Sequence, residues 1–112
     1  MFVPDAPQPL EIAIEPELFS PDGDGKDELT TIRWNFPVEG NVLNIRILNA
    51  EGLQVRHLVK SMLTGLTGAV SWDGLDEQGR RLPQGIYVVL AESFAMDGTK
   101  KATKKPVVLV IL

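Results

Sequence analysis

The chain has 112 residues, 44% of them hydrophobic and 23% charged, which fits one globular domain with one core rather than a cofactor domain beside a substrate domain. It has no cysteine and a single histidine, His57, so disulfides, thiolate catalysis, Cys-based zinc or iron–sulfur sites and multi-His metal centres are excluded. A net charge of −4 argues against a nucleic-acid binder, which needs a basic footprint.

The charge is unevenly placed. Residues 1–28 carry eight acids and one base, net −7, whereas residues 29–112 carry seven acids and ten bases, net +3. The first nine residues contain three prolines and read as an extended linker, with neither the basic nor the apolar region of a signal peptide. Residues 10–112 read as the folded domain. No apolar run approaches the roughly 18–20 residues of a membrane helix, so no membrane insertion is expected.

In chain order, Leu10–Glu15 alternates as a half-buried strand that Pro16 stops. Phe19–Glu28 is a loop of Pro, Asp and Gly. Leu29–Phe36 is a strand with Ile32, Trp34 and Phe36 on one face. Val42–Leu48 is another, with Leu43, Ile45 and Ile47 on one face. Asn49–Gly52 is a hairpin loop. Leu53–Val59 alternates with a change of phase near His57, which predicts a β-bulge. Ser61–Gly68 is small and polar, and Ala69–Trp72 is a short strand. Asp73–Gly79 is a double turn, and Ile86–Ala95 is a long apolar strand expected at the centre of a sheet. Asp97-Gly98 marks a hairpin, and the last strand runs from about Lys101 to Leu112 with Pro106 at a bulge or an edge. About seven strands, with turns every 8 to 12 residues, predict an all-β, Ig-like antiparallel β-sandwich.

Catalytic chemistry finds no constellation. His57 lies mid-strand with no nucleophile placed beside it, and no Gly-rich loop leads from a strand into a helix. The expectation is that the domain is not an enzyme. One loop is a candidate metal site: Asp22, Asp24, Asp27 and Glu28 supply oxygens suited to Ca²⁺. The EF-hand pattern fails at its fifth position, where Lys26 stands, and the competing reading is an Asx-turn loop. Asp73–Glu77 carries the same ambiguity. No other cofactor is expected. Lys100, Lys101, Lys104 and Lys105 form a basic cluster, read as a solvated hairpin or edge protection, with a membrane-surface or partner-docking patch as the alternative.

Three segments carry a family resemblance. Phe19-Ser-Pro-Asp-Gly-Asp-Gly-Lys-Asp-Glu28 resembles the opening of C-terminal domains on surface and gliding-motility proteins of Bacteroidetes-type bacteria. Val42–Arg56 resembles their hairpin. Trp72-Asp-Gly-Leu-Asp-Glu-Gln-Gly-Arg-Arg-Leu-Pro-Gln-Gly-Ile-Tyr87 is similar to a block shared with the Ig-like domain of the flagellar hook-capping protein. In that block Trp72, Asp73, Gly74, Gly79, Gly85 and Tyr87 are the structural positions.

The resemblance implies a secretion signal that the outer-membrane translocon of a type IX secretion system reads as a folded sandwich. Its partners would be that translocon and a surface sortase, and it would pass through the periplasm to the outer-membrane surface or the medium. By the same resemblance, Lys100, Lys101, Lys104 and Lys105 with Val107, Val108, Leu109 and Val110 would form the partner-binding strand. That strand is expected at an open edge, where a peptide strand or a second copy could add. The alternatives are a structural assembly module of the hook-capping kind and a calcium-dependent adhesion module.

Overall fold

The computed structural model describes residues 8–9, 11–21 and 28–111. Among these residues the chain is all-β. The strands are β1 (Gln8–Pro9), β2 (Ile12–Glu15), β3 (Leu18–Phe19), β4 (Thr30–Asn35), β5 (Asn41–Leu48), β6 (Gln54–Thr64), β7 (Thr67–Trp72), β8 (Gly85–Phe94) and β9 (Lys100–Leu109). They form a sandwich. The larger sheet has the order β1-β9-β8-β5-β6, with β3 also on β9, and the smaller has the order β2-β4-β7. Without the two-residue strands β1 and β3, seven strands remain, the number read from the sequence.

The core follows from period-two alternation. Ile12, Ile14, Ile32, Trp34 and Trp72 face inward from the smaller sheet. Leu43, Ile45, Ile47, Tyr87, Val89 and Leu109 meet them from the larger one. Each such side chain contributes about 1.5–3 kcal/mol on burial. β8 lies between β5 and β9, the central place its apolar sequence predicts.

Three register shifts interrupt the β5–β6 ladder. One falls between the Ile45–Val59 and Arg46–His57 pairs, where the sequence changes phase. Another surrounds Ser61, which adopts φ +47°. Its N–H donates to Asn44 Oδ1 at 3.0 Å, so a side chain replaces the ladder bond that the bulge disrupts.

The segment 61–68 is not a loop throughout. β6 continues to Thr64 and β7 begins at Thr67, because pairing with β5 and β4 holds residues that have little strand propensity of their own.

The last strand is not an open edge. β8 pairs with β9 along its whole length, from Phe94–Lys100 to Gly85–Leu109. On the other side, β1 adds in parallel at Lys101–Ala102 and β3 at Val108–Leu109. Between them the chain crosses to the smaller sheet as β2. The N–H groups of Val108 and Val110 donate toward β3, at 2.7 and 3.0 Å. By alternation, the nitrogen of Pro106 also faces that side, in the stretch that neither β1 nor β3 covers. A proline there breaks no ladder bond. Of the segment expected as linker, residues 1–7 lie outside the described residues, and Gln8–Pro9 are the β1 pair.

Candidate recognition site

Phe19 and the Trp72–Tyr87 block, parts of the segments that carry the family resemblance, meet at one end of the sandwich. Trp72 closes β7 and is wholly buried. Its ring lies 5.4 Å from that of Phe19 and 5.6 Å, edge-on, from that of Tyr87. Such tilted and edge contacts suit the ring quadrupoles. The indole N–H donates to the Leu75 carbonyl at 3.0 Å, and the Tyr87 hydroxyl donates to the Pro83 carbonyl at 2.6 Å. Burial pushes the Tyr87 phenol above its ordinary pKa.

Gly74 sits beneath this cluster at φ +80°, and a Cβ there would stand 3.0 Å from both Leu109 and Pro21. Both the left-handed backbone and the close approach require glycine. Gly79 turns at φ +79°. Trp72, Gly74 and Tyr87 are therefore one packed corner to which Phe19 belongs, whereas Asp73 opens the loop that follows and Gly79 is an exposed turn within it.

The loop after Trp72 clamps the edge of β6. Asp73 Oδ1 accepts the Leu75 N–H at 3.1 Å and faces Arg56 Nη1 at 3.5 Å. Asp76 Oδ1 accepts the N–H groups of Gln78 and Arg80, both at 2.9 Å. The Arg80 N–H, the larger of these two influences, and that of Gln78 hold the Asp76 carboxyl below its ordinary pKa. The second Asp-rich turn thus spends these oxygens on its own backbone.

Glu77 completes the clamp. Its N–H donates to the Val55 carbonyl at 3.0 Å, and its Oε2 accepts the His57 N–H at 2.9 Å. One residue thereby occupies both backbone positions that a neighbouring strand would take. The His57 N–H first, then Lys60, hold the Glu77 carboxyl below its usual range.

His57 Nε2 lies 3.0 Å from Asn44 Oδ1, which already accepts from Ser61. The oxygen is the acceptor in both bonds, so Nε2 carries the proton. Burial, then Arg46 and Lys60, push the imidazole below its ordinary pKa. Its surroundings make it a bulge-holding residue.

Asp22, Asp24 and Asp27 of the candidate calcium loop lie outside the described residues. Glu28 is half-buried, beside a surface pocket that Asp73 and Arg81 also line. Among the described residues no group of three or more His, Cys, Asp or Glu side chains could hold a metal ion.

The structure divides the expected partner strand. Val107 and Leu109 are wholly buried in the core and are unavailable to a partner while the domain is folded. Val108 and Val110 are half-buried on the opposite face. Lys100 and Lys104 are exposed on that outer face, with Lys100 Nζ 5.6 Å from the Phe94 ring centre. Lys105 points the other way, and its Nζ donates to the Ile12 carbonyl at 2.9 Å. Lys101 shares that face and is half-buried. Gly85 opens β8 opposite Leu109.

Sequence reasoning missed a groove of about 370 Å³ between β6 and β7. Trp34, Leu58, Val59, Met62 and Val70 line it. The indole of Trp34 crosses Gly68, where a Cβ would fall 2.4 Å from the ring, and its N–H is buried with no hydrogen-bond partner among the described residues. The paired spacing of Trp34 and Gly68 across two strands was the available signal, but their register is a tertiary fact.

No protein-family model matches the sequence, and no curated protein is significantly similar to it. Solved structures do resemble it. FlgD from P. aeruginosa superposes with a TM-score of 0.57 at 22% identity, over 80% of this chain and 67% of FlgD. FlgD from Xanthomonas campestris, described in connection with hook capping essential for flagellar assembly, gives 0.55 at 24%, over 71% of this chain and 57% of that one. PorZ from Porphyromonas gingivalis, an essential bacterial surface component of the type IX secretion system, gives 0.53 at 16%, over 88% of this chain and 11% of PorZ. At these identities the likeness is one of fold: the chain is an Ig-like sandwich similar to a domain of each.

Proposed function

We propose that this sandwich is a recognition module without chemistry of its own: a C-terminal address domain that a type IX secretion translocon reads to export a cargo across the outer membrane. The observation that supports it most is the packing of Phe19 against Trp72 and the pairing of β3 with β9. Phe19, the Trp72–Tyr87 block and the last strand are one unit, so parts of the segments that resemble secretion domains are joined in the fold. The likeness to PorZ is in keeping with this reading.

The translocon would read a finished surface. Since Val107 and Leu109 are core residues, the features open to it on the last strand are Lys100, Lys104, Val108 and Val110. A surface sortase would act on the fusion afterwards.

A second reading is an assembly module, in which the sandwich serves as a spacer or polymer contact. The two FlgD structures favour it. One experiment separates the two. Residues 1–112 are fused behind a periplasm-exported fluorescent protein in a bacterium with a type IX system, beside a translocon-deficient strain. Surface or medium fluorescence that is lost in the deficient strain supports the address domain. Reporter held in the periplasm with the domain folded overturns it in favour of the assembly module.

A further inference from the structure

The outer face of the larger sheet is unusual in what stands beside its lysines. Residues paired across strands share a face. The rows here are Val42–Phe94–Lys100, Asn44–Glu92–Ala102, Arg46–Leu90–Lys104, Leu48–Val88–Pro106 and Ile86–Val108. Glu92 is the only carboxylate among them, and Arg46 is ion-paired with it. Lys100 and Lys104 thus stand on a face with no uncompensated negative charge, about 13 Å apart along the strand.

Between and beside them are apolar side chains. Ile86 is 57% exposed and Phe94 37%, while Val88, Leu90 and Val108 are half-buried. At the tip of the β8–β9 hairpin, Met96 is 98% exposed. The Asp97 carboxylate beside it is occupied by Thr99, whose side chain first and N–H second hold its pKa down. The outer face of the smaller sheet differs: Glu15, Thr31, Arg33, Asn35, Thr67 and Ser71 stand there, with Ala13 and Ala69 as its small apolar side chains.

We propose that the outer face of β5, β8 and β9 lies flat on an anionic phospholipid surface. Lys100 and Lys104 would meet the headgroup phosphates, and Phe94 and Met96 would enter the acyl boundary. A sheet face that is apolar between its cations suits an interface with charge above and hydrocarbon below. Two observations disfavour a nucleic acid. The only arginine of this face is engaged by Glu92. An exposed methionine has no use against a phosphodiester backbone. The inference does not rest on the translocon reading, since a vesicle assay contains no secretion machinery.

The test is co-sedimentation of the full chain with vesicles of phosphatidylcholine alone and of phosphatidylcholine mixed with phosphatidylglycerol. Binding is expected to the mixed vesicles only, and to weaken as salt rises. The double variant Lys100→Gln, Lys104→Gln should lose about 25-fold in partitioning, roughly fivefold per lysine. Met96→Ser should lose about tenfold, from the apolar area that it no longer buries. Arg33→Gln, on the opposite face, should bind as the parent does. All four positions are exposed, and thermal melts verify that each variant folds. Four results would each overturn the proposal: no binding to mixed vesicles, equal binding to both kinds, a loss with Arg33→Gln as large as with the lysine pair, or undiminished partitioning of Met96→Ser.

Discussion

The two tryptophans of this domain face each other across the fold's internal asymmetry. Trp72, at the corner where the chain turns into the 73–82 loop, stacks with two aromatic rings and donates its indole N–H to Leu75. Trp34, four ladder rungs further along β4–β7, is 5% exposed, and its indole N–H has no partner among the described residues. A buried donor left unpaired costs about 1–3 kcal/mol. One half of the sandwich is satisfied and locked, while the other closes over a flaw beside an open groove. The recognisable sequence blocks lie in the first half, which suggests that they record a packing requirement more than a contact surface.

Substitutions should separate the halves. Trp72→Ala should have the largest effect, about 3–5 kcal/mol of lost stability in urea unfolding, because a wholly buried ring leaves a cavity. Gly68→Ala should cost about 1–3 kcal/mol by pushing the Trp34 ring aside, and an unchanged urea midpoint would mean that the indole has room to move. The sharper comparison is Trp72→Phe against Trp34→Phe. The first loses a hydrogen bond and the second removes an orphan, so Trp34→Phe should be milder by about 1 kcal/mol or more. Equal costs would remove the asymmetry.

Smaller effects are expected at the clamp on β6. Glu77→Gln weakens exposed ion pairs and should shift the urea midpoint only slightly. Its more telling readout is association: sedimentation at rising concentration should detect pairing through the loosened β6 edge.

The smallest effect is the pH response. The folded state holds His57 below its ordinary 6.5, so the unfolded chain binds the proton first. Stability is therefore present above about 6.5 and is lost as pH falls through the lower, folded value. Glu77 has the same sign at more acidic pH: its contribution is present above its unfolded pKa of about 4.5 and is lost as pH falls through the folded value. Melting scans of His57→Gln should lack the first step and keep the second.

Much of this architecture was legible in the residues. Alternation in Val42–Leu48, the apolar length of Ile86–Ala95, the Asp97-Gly98 turn and the phase change at His57 each found its place to within a residue. All are local signals, carried by side-chain period or backbone φ preference within a few residues. The extension of β6 to Thr64 was not legible, because Ser61 to Thr64 are held by partners on β5 and not by propensity. The closure of β9 was not legible either. It depends on a segment some 90 residues away that leaves the larger sheet as β1, joins the smaller as β2 and returns as β3.

The sequence by itself determined that this chain is an all-β sandwich and marked the turns that join its strands, since period and turn chemistry act over a few residues. Only the tertiary structure decided which strand edges stay open and which lysines face outward together. It also decided that Phe19, Trp72 and Tyr87 are one cluster. Those outcomes depend on register and sheet order, where a shift of one residue exchanges the two faces of a strand.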